Sequence, residues 1–292
     1  MTAPSTPLGE SATAAPRRLV IGCGYLGLRV AKRWLEAGAQ VWALTRSAAR
    51  AAEFAAAGIT PLTADVTRPD TIRDLPAVDA MFWGVGFDRT ADATYRDVHV
   101  VGLGRVLDAL PGTPRIILSS STGVWGDEDG RIVDETTPAH PVREAGRVLL
   151  EAERLLHDRT GYRGTALRFA GLYGPDRLPR LDDLKAGRPI AADPDSWLNL
   201  IHVDDAARTV CAVAAAPASQ PLYVVSDGVP VRRREWYAHL AKISGSPPPT
   251  WDTTAPRTRG ADKRVDPARL FRDIPLTLEY PDSFRGLEAI LK

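Results

Sequence analysis

Short apolar runs alternate along the chain with stretches whose apolar residues recur at helical spacing. Arg18 opens a run that continues through Leu19, Val20 and Ile21, breaks at Gly22-Cys23-Gly24-Tyr25-Leu26-Gly27, and resumes as a helix from Arg29 to Gly38. A second strand is expected over Ala39 to Leu44, a helix capped by Ser47 over Ser47 to Phe54, and a third strand over Gly58 to Val66. Ala77 to Val85 reads as a fourth strand, Ala91 to Leu110 as a helix, and Arg115 to Leu118 as a fifth strand that runs into Ser119-Ser120-Ser121-Thr122-Gly123. Strands alternating with crossovers long enough for helices predict an α/β fold with a doubly wound parallel sheet. Ligands of such sheets bind beyond the carboxyl ends of the strands, so the triple serine and the glycine turn are expected to open onto one crevice.

The glycine turn carries the first chemistry. Strand, G-x-G-x-x-G and helix in that order give each glycine a task. Gly22 permits the tight turn, Gly24 lets the backbone approach a pyrophosphate, and Gly27 lets the helix pack close to the strand, with Tyr25 and Leu26 completing the phosphate loop. The helix N-terminus then offers free N–H groups and the positive end of its dipole to the anion. At the end of the second strand, where an NAD-specific site would carry an acid for the ribose 2′-hydroxyl, the chain reads Thr45-Arg46-Ser47. Arg46, with Arg50 one turn later, is suited to a 2′-phosphate, which predicts NADP as cofactor in preference to NAD; the alternative is a solvated arginine at the start of a surface helix. Asp65, followed by Val66, is either a contact to the adenine edge or a helix cap.

Length and composition bound the rest. A chain of 292 residues is long for one hydrophobic core, so a main domain with a smaller appended lobe is expected. The boundaries read as a disordered tail over 1–16, a dinucleotide-binding Rossmann core over 17–174 plus 200–226, and a smaller C-terminal substrate lobe over 175–199 plus 227–292. A net charge of +1 gives no reason to expect a nucleic acid or a membrane surface as partner, and no run reaches the roughly 18 apolar residues of a membrane span. The five histidines lie far apart without cysteine or carboxylate at ligand spacing, so no metal is expected. Cys23 and Cys211 cannot form a disulfide framework, which favours a reducing cytoplasm. The expected partner is a small-molecule substrate, with a homodimer left open.

Five stretches now stand in one order: GCGYLG, LSSSTGVWG at Leu118 to Gly126, ALRFAGLYGP at Ala166 to Pro175, NLIHVDDAA at Asn199 to Ala207, and YVVSDGVPV at Tyr223 to Val231. Together they resemble the extended and atypical short-chain dehydrogenase/reductases, the NAD(P)-dependent epimerase/dehydratase superfamily. The resemblance implies that Ser121, three residues before Val124, hydrogen-bonds the substrate oxygen at the reacting carbon, with Ser119 beside the cofactor. The same serines can merely cap a strand end. It further implies a Tyr-x-x-x-Lys pair on the following helix, where a lysine lowers the phenol pKa. This chain has Ala145 and Leu149 at those positions, which makes it an atypical branch. Their spacing places both on one apolar stripe and predicts a packed face. His99 aligns with the family's assisting Asn and can donate a proton or orient water, or be structural. Tyr173, in the loop that the family lays against nicotinamide and substrate, is either the phenol expected near the site or a packing residue. Asp204 and Asp205 are expected to cap the helix that follows His202, and Arg177, Arg180, Arg188, Arg257, Arg259, Lys263 and Arg264 are either anion contacts or solvated surface. Two functions follow: an oxidoreductase or epimerase-like enzyme working by hydride transfer on a small oxygenated substrate, such as a sugar or nucleotide sugar, or a non-catalytic NADP-binding sensor or scaffold.

Overall fold

Leu19, Val20 and Ile21 are wholly buried because strand β1 (Arg17–Ile21) lies at the middle of a sheet covered on both faces. The computed structural model describes residues 14–126, 128–254 and 261–292. Most of the expected tail, and Arg257 and Arg259, therefore lie outside the described residues, whereas the Pro16 carbonyl already accepts a bond from the Gln40 amide.

The other strands of this sheet are β2 (Gln40–Thr45), β3 (Thr60–Thr63), β4 (Ala80–Trp83), β5 (Arg115–Ser121), β6 (Gly164–Phe169) and β7 (Leu222–Val225). All seven are parallel, in the order β3-β2-β1-β4-β5-β6-β7. The reversal of direction falls between β1 and β4, where a doubly wound sheet opens its ligand crevice.

Alternation along the strands divides the core. Val20, Phe82, Ile117 and Leu167 face one side, where helices α1 (Gly27–Glu36) and α6 (Val203–Ala215) bury Val30, Ala31, Ala206 and Val210. Leu19, Ile21, Met81, Ile116 and Leu118 face the other, under α3 (Gly102–Ala109) and α4 (Glu144–Thr160). Helix α2 (Ala48–Ala56) covers the β2–β3 edge and is capped by the Ser47 hydroxyl, as expected. The link from β3 to β4 holds only a single 3-10 turn at Pro69–Thr71, so this crossover lacks the expected helix. The helix expected from Ala91 begins at Tyr95, and its first stretch, Asp97–Val101, is a π turn that runs into α3.

The second lobe has its own core, with Leu184, Ile190, Leu200, Trp236, Leu240 and Leu287 contributed by α5 (Leu181–Lys185), α7 (Arg233–Ser244), α9 (Ser283–Leu291) and the links between them. A parallel pair, Gly171–Tyr173 with Leu200–His202, stitches it to the main sheet. The C-terminal stretch does not stay in the lobe as expected. Helix α8 (Ala268–Asp273) and the residues after it return Leu270, Ile274, Leu276 and Leu278 to the β7 side of the main core. Among the described residues no helix is long and apolar enough to cross a membrane.

Candidate active site

Each glycine of the turn meets a different constraint. Gly22 has φ +89°, and a Cβ there would lie 2.4 Å from the Val85 nitrogen. A Cβ on Gly27 would lie 2.3 Å from the Gly22 carbonyl oxygen, so only glycine lets α1 start this close to β1. Around Gly24 nothing lies within 4 Å of a Cβ. The turn is thus closed on its protein side and open where a ligand would approach. Among the described residues no side chain caps α1, and no acid stands in its first turn, so its N-terminal N–H groups meet no competing anion there. These residues fit a dinucleotide pyrophosphate. Leu26 is buried, and Tyr25 turns its hydroxyl outward to donate to the Pro175 carbonyl at 3.0 Å, leaving the backbone as the loop's means of contact. Burial pushes the Cys23 thiol up to about 11, which keeps it protonated near pH 7.

The 2′ end lies at the tip of β2. Arg46 is half exposed and pairs with Asp88 at 3.1 Å, while Ser47 accepts from the Arg50 amide at 3.3 Å. Arg50 reaches back and donates to the Cys23 carbonyl at 3.0 Å, which ties this corner to the glycine turn. Asp65 is committed locally: its Oδ1 accepts from the Thr67 amide at 2.8 Å and the Thr67 hydroxyl at 2.7 Å. Val66 is buried against Gly102, so its side chain packs inward.

Beyond the ends of β5 and β6 a cavity of about 1000 Å³ opens between the main sheet and the second lobe. Ser119, Ser121, Thr122, Gly123 and Phe169 form its sheet wall, and Leu178, Leu198, Asn199 and Tyr237 line it from the lobe. The Ser121 hydroxyl accepts from the Gly123 amide at 3.0 Å, which orients it while leaving its hydrogen to donate. The glycine turn forms no wall of this cavity. The link between them is Arg177, which lines the cavity and stands over the Tyr25 ring at 5.3 Å.

Two expected catalytic groups are not brought to the crevice. Tyr173 is fully buried in the core of the second lobe, edge-on to His202 at 5.3 Å, with its hydroxyl against Gly286 of α9. Burial, then the charges of Asp227 and Asp205, drive its phenol far above the ordinary value. The reason is register: Tyr173 lies on the short strand after β6, and that strand delivers it to the lobe's interior. His99 is corrected in the same way. It is buried, neither ring nitrogen has a hydrogen-bond partner among the described residues, and desolvation lowers its pKa to about 4, so it is neutral near pH 7.

The apolar stripe expected over Ala145 and Leu149 is also divided. Leu149 is buried, but Ala145 is exposed because α4 begins only at Glu144, so Ala145 sits in its first turn and lines a cleft with Phe87, Arg89 and Tyr95. Nor do Asp204 and Asp205 cap α6. The His202 ring accepts from the Asp204 amide at 3.3 Å, Asp204 pairs with Arg29 at 2.8 Å, and Asp205 holds the amides of Glu279 and Tyr280, each at 2.8 Å.

Sequence reasoning missed the buried network behind the serines. Glu153 accepts from the Ser120 hydroxyl at 2.5 Å and from both Nε and Nη2 of Arg168, at 3.0 and 2.8 Å. Arg168 in turn lies over the Trp125 ring at 4.6 Å, and Trp125 lines the cavity. The available signal was a charge inside each of two apolar patterns, Arg168 within ALRF and Glu153 one turn after Leu149 on α4. Lys263, expected as an anion contact or as solvated surface, is not solvated surface. Its ammonium is buried and donates to the carbonyls of Trp125 at 3.2 Å and Gly126 at 3.4 Å, which fastens the serine loop to the C-terminal segment.

Known proteins similar to this chain share its family and fold. Protein YeeZ of Escherichia coli (strain K12) is 29% identical over 271 residues, which span 90% of this chain and 96% of that protein. A ketoreductase of Stigmatella aurantiaca, acting on a 4-hydroxy-2-methyl-3-oxo-4-farnesyl-3,4-dihydroquinoline-1-oxide, is 25% identical over 241 residues, 77% of this chain and 72% of the relative. A Methylobacillus flagellatus structure, assigned to the NAD-dependent epimerases/dehydratases, superposes with a TM-score of 0.76 at 32% identity over 95% of this chain and 98% of that one. The model of the NAD dependent epimerase/dehydratase family matches residues 18–226, from β1 through the end of β7, and the chain belongs to that family.

Proposed function

We propose that the protein is an NADP-dependent oxidoreductase that transfers hydride to or from a small oxygenated substrate carrying negative charge. The observation that carries this reading is the cavity at the strand ends. Ser119 and Ser121 stand on its sheet wall, and Arg89, Arg143, Arg177, Arg180, Arg233 and Lys263 line it with, among the described residues, no carboxylate. Several of these cations also serve neighbours: Arg180 pairs with Asp183 at 3.1 Å, and Arg233 donates to the Ser196 hydroxyl at 2.8 Å. Arg143, Arg233 and Lys263 have further partners, so the preference for an anion rests first on Arg89 and Arg177 in a cavity with partly apolar walls.

A nicotinamide cofactor held by the glycine turn supplies the hydride chemistry. The chain's own residues supply the rest. The Gly24 backbone and the start of α1 bind the pyrophosphate, Arg46 and Ser47 take the 2′-phosphate, and Ser121 donates to the substrate oxygen as charge gathers there. Arg46 gives up only its exposed pair with Asp88, and such pairs contribute little. The reading includes a reducing, cytoplasmic setting, in keeping with the free thiols of Cys23 and Cys211.

The test is a paired titration of NADPH and NADH followed by nicotinamide fluorescence, on the wild type and on Arg46→Ala, with turnover scored on anionic aldehydes, ketones and nucleotide sugars. A charge-assisted contact to the 2′-phosphate is worth about 1.5–3 kcal/mol, so a roughly ten- to hundredfold preference for NADPH is expected, and lost in Arg46→Ala. Equal or tighter NADH binding refutes the NADP assignment. A second reading, an NADP-binding sensor, is favoured by Ala145 and Leu149 standing where a catalytic pair would be. Tight NADPH binding with no turnover across the panel would favour it.

A further inference from the structure

Tyr95 stands where β4's outgoing loop, the serine loop and α4 meet. Its ring is edge-on to Phe87 at 5.2 Å and tilted on His99 at 4.1 Å. It packs on the cluster that contains Val124, three residues past Ser121, and Leu149, the position aligned with the dyad's lysine. Tyr95 also lines a cleft of about 410 Å³ together with Ala145, the position aligned with the dyad's tyrosine. Arg89 lines both this cleft and the main cavity, so the two adjoin across one side chain. Two residues past Tyr95 the helix widens into the π turn Asp97–Val101, a distortion that recurs at functional sites.

We propose that Tyr95 supplies the proton that the absent helix tyrosine would supply, donating its phenolic hydrogen to the substrate oxygen beside Ser121. The proposal rests on the oxidoreductase reading given above. In the reducing direction, hydride adds to the carbonyl carbon and the C=O π pair moves to oxygen. The Tyr95 O–H bond breaks as the new O–H bond forms, and the phenolate recovers a proton from solvent. The carbonyl gains two electrons, the dihydronicotinamide loses two, and one solvent proton is consumed. Burial raises the Tyr95 phenol above its ordinary value, so the proton is present at neutral pH. Among the described residues, the titratable and charged groups that touch its ring or line the cleft with it are His99 on its own helix, Arg89 on the β4 loop and Glu144 on α4.

The experiment compares wild type with Tyr95→Phe, which keeps the ring contacts to Phe87 and His99. NADPH binding is titrated, reduction of 9,10-phenanthrenequinone, isatin and 4-nitrobenzaldehyde is followed against pH, and nitration of Tyr95 by tetranitromethane is mapped by peptide mass with and without NADPH plus isatin. The expected result is an about 10²–10⁴-fold slower reduction in Tyr95→Phe with unchanged NADPH affinity. The fall in wild-type rate as a phenol ionises above about pH 10 should vanish in the variant. NADPH plus isatin should protect Tyr95 from nitration. A variant that keeps its rate, a loss explained by weaker NADPH binding, or unprotected nitration overturns the role of Tyr95 and leaves the oxidoreductase reading standing. A wild type that reduces none of the three probes and none of the anionic carbonyls and nucleotide sugars of the turnover panel overturns both.

Discussion

Glu153→Gln tests whether the buried ion pair holds up the serine strand. The two side chains are only 5% and 6% exposed, so the Arg168 guanidinium has little water to replace a lost carboxylate. Glutamine keeps the shape and one acceptor oxygen but removes the charge that two guanidinium N–H groups share. Breaking one partner of such a pair costs about 3–5 kcal/mol, because the remaining charge is left uncompensated. At about 2 °C per kcal/mol for a chain near this size, the midpoint of thermal unfolding should fall by about 6–10 °C. The double variant Glu153→Met, Arg168→Met removes both charges and should recover most of that loss, since a buried pair replaced by apolar side chains is often neutral. Scanning calorimetry at pH 7.5 on the three proteins decides it. A single variant within about 1 kcal/mol of wild type would refute the reasoning, because exposed pairs behave that way and buried ones do not. A double variant less stable than the single would show that the network's hydrogen bonds, not its charges, carry the stability.

Gly24→Val should fold with wild-type stability and lose NADPH binding, since its side chain enters the open space over the turn. Gly22→Ala should be destabilised instead, because φ +89° and the Val85 nitrogen at 2.4 Å leave no place for a methyl group; circular-dichroism melts beside NADPH titrations separate the two. Asp227 is buried, its Oδ2 has no hydrogen-bond partner among the described residues, and burial raises its pKa to about 7. The folded state then holds a proton that the unfolded chain releases near pH 4, so this group's contribution to stability is present at low pH and lost as pH rises from about 4 to 7, at up to about 1.4 kcal/mol per pH unit. Asp227→Asn should raise the urea midpoint relative to wild type at pH 8 and not at pH 4; an equal difference at both would refute the assignment. Ser121→Ala should lose on the order of 10²–10³ in kcat on an active substrate with unchanged NADPH affinity, and full retained rate would remove Ser121 from catalysis.

The residues that were legible in the sequence are those whose neighbours lie mostly within one βα unit. Gly27 meets Gly22 and Val20 of its own unit, Gly22 also meets the loop after β4, and the tight turn and the close helix start both follow from one strand-turn-helix pattern. Ser47 caps a helix that begins at the next residue. The parallel sheet follows from alternation repeated along the chain. Tyr173 was illegible because its surroundings come from afar: α9 closes over it through Gly286, whose Cβ would meet the phenol oxygen. Its place in the LYGP motif indicated a strand end and nothing about which core that end enters. His99 sits at a position whose alignment suggested chemistry, yet the π turn sets its ring against Tyr95 and away from either cavity.

The loss of the Tyr-x-x-x-Lys pair has a physical consequence that spacing alone could not foretell. Positions 145 and 149 share one helix face, but only 149 lies deep enough along α4 to be covered, whereas 145 sits in the exposed first turn. Its first turn is pinned at Gly146, where a Cβ would lie 2.7 Å from the Gly123 carbonyl oxygen, so the helix end abuts the serine loop itself. Ala145 is thereby held at the rim of the crevice, with the space of the missing phenol open beside it, while Leu149 is drawn into packing with Val124 and Trp125. A lysine at 149 would have to leave that cluster or bury its charge there. Losing the lysine therefore improves the packing that supports the serine loop, and losing the tyrosine leaves a cleft that Tyr95 already lines from the opposite side. The two changes fit a site in which the scaffold for the substrate oxygen is retained and its proton donor has moved to another element.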